Sequence, residues 1–409
     1  MPLAGVRVAD LGTVWAGAYV TKLLADMGAE VIKVEAPINF DLIRGLNIDA
    51  GGEYYDTSPY FNTYNRNKHG VGLDVGQPDG LAVFKRLVQV SDVVVENFRT
   101  DVSEKLSFHY NALRQANPSI IMLSMQAYGR SGPHRNYAGY GPMSEYGAGL
   151  TSMSGYVGGE PQKVGISYGD PLAGVVAAGA IVGALLYRRR TGKGQHIELA
   201  QRENVLGLIG EAVLDWSMNH RLRKPQGNRH DVFAPHGCYR CAGDDQWLTL
   251  AVTSEEEWRR LCGVMGKPEL ADDPRFTDAA ARKRNEDALD AVVEHWTSAI
   301  NREDAFQLLA EARIPAGKVL DPLDLLKDEH LKARGFYQPM THPAAGTWPM
   351  DGPVWRMSKT PGKFWRAAPR FGENNDYVLK ELLGLTDGEI AALEERQAVA
   401  RKPMMPKQV

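Results

Sequence analysis

Residues 6–35 read VRVADLGTVWAGAYVTKLLADMGAEVIKVE. The run Val6 to Asp10 has the composition of a buried strand, Gly12 and Gly17 mark a turn, and a helical stretch follows as far as Met27. Gly28-Ala29 then breaks the helix before a second strand, Val31 to Val34. This is a βαβ unit, and such units build parallel sheets.

The same grammar continues outward. Pro78 and Asp79 open a helix with Leu81, Phe84 and Val88 at helical spacing, and Asp92 to Val95 forms the next strand. Asn117-Pro118 punctuates the chain before an apolar strand at Ile120 to Met125. Pro171 to Tyr187 is a long apolar helix, Thr191-Gly192-Lys193-Gly194 stops it, and Gln195 to Leu199 is again a strand. The pattern predicts an α/β fold whose large domain is a mostly parallel, doubly wound, Rossmann-like sheet. A helix is expected at Asn204 to Met218.

Regularity then fades. Residues 219–237 (NHRLRKPQGNRHDVFAPHG) read as a linker or ordered loop. Beyond it comes a hairpin, Cys238 to Cys241 and Trp247 to Val252, followed by helices near Glu255 to Met265, Asn285 to Ala299 and Arg302 to Ala312. The expected domains are therefore 1–224, a smaller α+β domain at 225–330, and a segment 331–409 that returns to the large domain and ends in a helix near Asp387 to Arg396.

Composition narrows the function. With 409 residues, 44% hydrophobic and 24% charged, the chain has ample core for two domains. A net charge of −3 without a basic block predicts no nucleic-acid or membrane-surface partner. Three cysteines are too few for a disulfide framework, and the start at Met1-Pro2-Leu3 lacks a charged, apolar leader, so a cytoplasmic protein is expected. Residues 171–187 approach the length of a membrane span, but their Ala and Gly content and their flanks favour a fully buried core helix.

Gly169-Asp170-Pro171 is the most informative short motif. Asp followed by Pro is a standard helix start, with the carboxylate as N-cap and Pro at the first helical position. The same placement holds a carboxylate ionised, as a nucleophile requires, so capping and catalysis are compatible readings. The first turn, Asp10 to Gly17, lies where doubly wound folds bind nucleotides. It is neither GxGxxG nor a P-loop, which argues against nicotinamide and flavin cofactors. Cys238 and Cys241 form a lone CxxC without a second pair and read as structural rather than as a metal site. Arg188, Arg189, Arg190 and Lys193 suit a helix C-terminus, with phosphate contact the alternative.

Taken in order, several stretches resemble the CaiB/BaiF family, the class III CoA-transferases of formyl-CoA transferase type. They are residues 6–37, NRNKHGVGLDV (65–75), DVVVENFR (92–99), YGRSGP (128–133), GDPLAG (169–174), RRRTGKGQHIELA (188–200), PELADDPRF (268–276), RIPAGKVLD (313–321) and LLGLTDGEI (382–390). The resemblance implies that Asp170 is the nucleophile, carrying acyl and then CoA groups without metal or ATP. It also implies coenzyme A contacts from Val14, Trp15, Ala16, Asn67, Lys68, Asn97, Phe98 and Lys105. An interlocked dimer, either of two copies or of two related chains, comes with the family.

Departures matter equally. Formyl-CoA transferase has Gln where this chain has Trp15 and Arg where it has Ala36, and its glycine-rich loop is not reproduced at 228–237. Formate and oxalate are thus poor substrates to expect. Related racemases carry a GHD motif where this chain has Gly139-Tyr140-Gly141, so α-proton transfer is the lesser alternative, as is a non-catalytic subunit of a heteromer. Tyr128, Tyr140 and Glu145 are candidates for the acid pocket. Tyr137, Met143, Tyr146, Met153 and Tyr156 either extend an apolar wall there or pack the domain. A substituted dicarboxylate such as succinate or benzylsuccinate is the expected acid.

Overall fold

A computed structural model describes residues 1–45, 54–165 and 167–404. The last five positions of segment 331–409 lie outside that set. The chain divides into two compact units, one of Met1–Leu150, Val164–Leu222 and Leu331–Val409, the other of Thr151–Lys163 and Arg223–His330.

In the first unit the elements run β1 (Arg7–Asp10), α1 (Ala16–Asp26), β2 (Glu30–Glu35), α2 (Pro59–Tyr64), β3 (Lys68–Gly72), α3 (Pro78–Gln89), β4 (Val93–Glu96), α4 (Thr100–Lys105), α5 (Tyr110–Ala116), β5 (Ile121–Gln126), α6 (Gly141–Ala148), α7 (Gly169–Thr191), β6 (His196–Ala200), α8 (Gln201–Leu208) and α9 (Gly210–Asn219). All six strands are parallel, in the order β3-β2-β1-β4-β5-β6. The order reverses between β1 and β4, and ligands of such sheets bind in the crevice outside the strand ends at that point.

Both sheet faces are covered, which explains the near-continuous apolar strands. Val93 and Val95 of β4 turn to a core shared with Val20 and Leu24 of α1 and with Ala173, Ala177 and Ile181 of α7. Val94 turns the other way, to Phe84 and Leu87 of α3 and Leu113 of α5. The apolar helix α7 is not fully buried as expected. Its small residues Ala173, Gly174, Ala177 and Ala178 face inward, whereas Val175 and Val176 are 53% and 45% exposed. The single helix expected at 204–218 is instead two, broken at Ile209. Strand β3 and helix α2 went unread, since Gly70 and Gly72 dilute the strand's apolar signal and α2 has only six residues.

The second unit holds an antiparallel sheet of β7 (His236–Arg240), β8 (Trp247–Ala251) and β9 (Ala316–Lys318). With it come α10 (Glu255–Val264), α11 (Ala279–Arg284), α12 (Glu286–Thr297), α13 (Arg302–Glu311) and α14 (Pro322–Lys327). Leu248 and Leu250 pack there against Trp258, Phe276, Val293 and Leu309. Cys238 and Cys241 are free thiols.

Beyond α15 (Glu329–Ala333), the chain forms the hairpin β10 (Tyr337–His342) and β11 (Gly346–Asp351), a π-helical segment at Asp376–Leu382, and α16 (Asp387–Glu395). This tail closes the free edge of β3. Asn374 Oδ1 accepts from Gly70 N and Asn375 Oδ1 from Gly72 N, each at 2.9 Å, and Asn375 Nδ2 donates to Ala400 O at 3.0 Å. An edge strand finished by side-chain amides offers no template for another chain.

Asn375 is fully buried, so Asn375→Leu would strand the Gly72 N–H and the Ala400 carbonyl. We expect a loss of about 2–4 kcal/mol of unfolding free energy. A urea midpoint unchanged from the parent would show that the seam carries no stability.

Candidate functional site

The first turn is fixed from below by charge. Asp10 Oδ1 accepts from Gly12 N at 2.9 Å, and its Oδ2 takes Thr21 Oγ1 at 2.7 Å and Lys68 Nζ at 3.1 Å. Lys33 Nζ donates to the Gly12 carbonyl and pairs with Asp41 at 2.7 Å, while Asp41 Oδ1 accepts from Val14 N at 2.9 Å. Asn97, at the end of β4, grips both faces of Thr13: its Oδ1 takes Thr13 N at 2.8 Å and its Nδ2 donates to Thr13 O at 3.0 Å. These bonds hold Val14 at φ 58°, a left-handed conformation that β-branched residues avoid. Gly12 and Gly17 are required by contact, since a Cβ on Gly17 would stand 2.6 Å from Gly12 Cα.

Val14, Trp15, Ala16, Asn97 and Phe98 therefore gather at the switch point. Beside them lies a cavity of about 210 Å³ lined in part by Thr13, Ala36, Phe98, Val102, Leu106 and Phe108. Lys105, at the end of α4, is exposed next to Leu106. Asn67 and Lys68 do not join this surface. Asn67 spends its side chain on Asp26, Lys363 O and the amides of Trp365 and Arg366. Lys68 spends its ammonium on Asp10, Ala18 O and Asn65, and burial pulls it down to about 8.

Asp170 sits differently from the expected cap. Helix α7 starts at Gly169, so Asp170 is its second residue, and Tyr168 occupies the N-cap position without a side-chain bond. The first amides are taken by another group: Glu145 Oε1 accepts from Tyr168 N at 2.5 Å and Gly169 N at 3.3 Å. Asp170 is 9% exposed, and its carboxylate rests against Gly141. A Cβ on Gly141 would come 2.7 Å from Asp170 Cγ, and closer still to its Oδ2 and to Ser167 Oγ. Burial pushes the Asp170 carboxyl up to about 6; the Glu145 charge adds to the rise, while the Ser167 side chain and Gly141 amide oppose it. Ser167 Oγ makes no well-formed hydrogen bond and acts as a nearby dipole.

An aromatic group faces this carboxylate. Trp15 lies 5.9 Å from Tyr60 and 5.3 Å from Tyr64, and Tyr64 meets Tyr19 at 5.8 Å between ring centres. Burial, followed by the charges of Asp170 and Asp41, pushes the Tyr60 phenol up to about 12, leaving it a neutral donor at physiological pH. Gly174 lets α7 lie directly on Tyr19, which brings Asp170 into this group. Sequence reading missed Tyr60, Tyr64, Gly141 and Ser167. The pair Ser58-Pro59 was the available signal, since Ser58 caps α2 by accepting from Phe61 N.

Of the acid-pocket candidates, Glu145 is buried at the site. Tyr140 is 54% exposed immediately before α6. Tyr128 stands edge-on to His134 and Tyr137 under the Arg202 guanidinium. Tyr137, Met143 and Tyr146 are exposed rather than packed in the core, and Met153 and Tyr156 belong to the second unit. Among the described residues, no three or more His, Cys, Asp or Glu side chains are grouped as metal ligands.

Comparison with known proteins places this geometry. The pattern that describes CoA-transferase family III matches residues 3–375. The chain is 34% identical over 399 residues to a succinyl-CoA–D-citramalate CoA-transferase of Chloroflexus aurantiacus, covering 97% of this chain and 98% of that one. It is 32% identical over 402 residues to the beta subunit of a succinyl-CoA–L-malate CoA-transferase of the same organism, covering 98% of each. The crystal structure of a CaiB/BaiF family protein from Brucella suis superposes with a TM-score of 0.86 at 31% identity, over 93% of this chain and 99% of that one. The doubly wound sheet and the match along nearly its whole length make this chain a member of CoA-transferase family III.

Proposed function

We propose that the protein transfers CoA from succinyl-CoA to a substituted dicarboxylic acid in the cytoplasm, with Asp170 as nucleophile and covalent carrier. The observation that carries this reading is the Asp170 carboxylate itself: buried, outside the helix cap, and backed by a glycine that leaves it room. The names of the similar enzymes support the succinyl donor and a dicarboxylate acceptor.

An Asp170 oxygen attacks the thioester carbonyl, the C–S bond breaks, and CoA leaves as the thiolate, giving an acyl-aspartyl anhydride. The thiolate then attacks Cγ of Asp170, releasing the donor acid as its carboxylate and leaving an aspartyl-CoA thioester. The acceptor carboxylate attacks that carbonyl and displaces the thiolate. A final attack of the thiolate on the new acyl group returns Asp170 as carboxylate. Over the whole cycle one thioester is consumed and one is formed with no change of oxidation state, so the cycle calls for no ATP, metal, nicotinamide or flavin.

The Gly141 amide favours negative charge at Asp170 and is suited to hold the oxyanion formed when Cγ is attacked. The turn at Val14, Trp15 and Ala16 opens a helix N-terminus fit for phosphate, Phe98 lines an apolar cavity fit for an adenine ring, and Lys105 supplies a mobile cation beside it. Asn97 holds the turn, Lys68 supports it from behind through Asp10, and Asn67 ties the end of α1 to the tail at residues 363–366. A second copy or a related chain covers the exposed Val175, Val176, Leu214 and Trp216.

Asp170→Ala is expected to fold and lose at least about a thousandfold in transfer rate. Hydroxylamine trapping after succinyl-CoA addition should mark the peptide holding Asp170 in the parent only; undiminished exchange of labelled acid by the variant would overturn the mechanism. Because attack needs the ionised carboxylate and its midpoint is about 6, kcat/KM should fall about tenfold per pH unit below that value. A rate that is flat from pH 7 to 4.5 would exclude Asp170 as the group. Gly141→Ala should keep the fold but displace the carboxylate, lowering kcat by about a hundredfold or more; parental kcat would show that this contact is irrelevant.

A further inference from the structure

The start of α7 needs an acceptor for its free amides, and the acidic residue in its own first turn does not serve. That task falls to a residue on another helix, 23 positions before Tyr168. Glu145 is fully buried in α6, and its Oε1 meets the amides of both Tyr168 and Gly169. Its second oxygen, Oε2, is buried without a hydrogen-bond partner among the described residues. A buried carboxylate with one oxygen unpaired is expensive unless a dipole or a task holds it there. The positive end of a 23-residue helix supplies the dipole.

We propose that Glu145 is the positioning residue of the transfer reaction: by capping α7 it leaves the Asp170 carboxylate uncommitted and aimed past Gly141 at the acyl group. This rests on the reading of Asp170 as nucleophile. Lying beside Asp170, Glu145 also moves the acid limit of the reaction upward, adding its charge to the larger effect of burial. The groups facing Asp170 are Glu145 and the Gly141 amide on α6, Ser167 before α7, and the neutral phenols Tyr60 and Tyr64 on α2. The neighbouring α8 presents Gln201 to Ser144 and turns Arg202 over the Tyr128 ring. Glu145 is thus the acidic neighbour whose charge opposes ionisation of Asp170, and neutralising it makes Asp170 easier to ionise.

Two variants separate positioning from bulk stability. Glu145→Gln keeps an oxygen for the two amides and removes the charge; Glu145→Ala removes both. In the full-length enzyme with succinyl-CoA and an accepted acid, the acid limb of kcat/KM for Glu145→Gln should move at least about half a unit to lower pH. Its plateau kcat should stay within about tenfold of the parent, since a weaker base is a somewhat weaker nucleophile. Glu145→Ala should lose about a hundredfold in kcat with little change in KM for the CoA ester. A pH profile of Glu145→Gln superimposable on the parent's, or parental kcat in Glu145→Ala, would overturn the proposal. Trapping in the parent distinguishes the two levels: a labelled Asp170 peptide with an unmoved profile sinks only the role of Glu145, whereas no label at Asp170 sinks the nucleophile reading and this one together.

Discussion

Everything at the open end of the sheet depends on charges sealed beneath the first βα turn. Lys33, Lys68 and Arg44 have fully buried side chains, and their partners Asp41, Asp10, Glu35 and Asp56 are at most 4% exposed. Burial alone would lower Lys33, but Asp41, Asp10 and Glu35 outweigh it and hold the ammonium above its ordinary value. At Lys68 burial wins, and the group falls. Such pairs add little net stability over apolar residues of similar volume, whereas breaking one strands a charge at about 3–5 kcal/mol. Their contribution here is placement: they draw Gly12 O and Val14 N into one geometry and hold Val14 at a disfavoured φ.

Placement of the turn fixes Trp15, and Trp15 fixes the aromatic group against Asp170. The link between them is the α1–α7 contact, where inward-facing Ala and Gly allow the close approach at Tyr19. A larger residue at position 174 would meet the Tyr19 ring at 2.7 Å and lift the start of α7 away from α1. The apolar helix that resembles a membrane span by composition is better understood as this spacer. Ala173, Gly174, Ala177 and Ala178 face the core together with Ile181, whereas Val175, Val176 and Leu186 face outward.

The parallel sheet was legible because β1, β2, β4 and β5 are short apolar runs bounded by Gly, Pro or Asp, and their period needs no tertiary context. Strand β3 was not, because Gly70 and Gly72 stand where side chains would collide with Pro369, Phe371 and the Ala400 carbonyl. Their reason lies 300 residues away. Asn67 and Lys68 were legible as notable positions but not as inward-facing ones, since only the folded structure shows that Asp26 and Asp10 absorb them. Tyr60 and Tyr64 carried a capping signal in Ser58-Pro59 but no sign that their rings would meet Trp15. Asp170 was legible as a helix start and, by resemblance, as a nucleophile; the division of labour with Glu145 was not, because a cap supplied from another helix leaves no local trace.

That division can be weighed. A carboxylate in the first turn of a helix gains about 0.3–1 kcal/mol from the dipole. The rise of Asp170 from 3.8 to about 6 corresponds to about 3 kcal/mol against the charged form, so burial beside Glu145 outweighs the dipole. The sign follows: the raised carboxyl favours the fold when protonated, and this share of stability is lost as pH rises through about 6. The protein therefore holds at neutral pH a carboxylate that its own environment disfavours. A poorly stabilised carboxylate loses little when it becomes a neutral anhydride or thioester, and the covalent carriage proposed for Asp170 asks for that loss to be small.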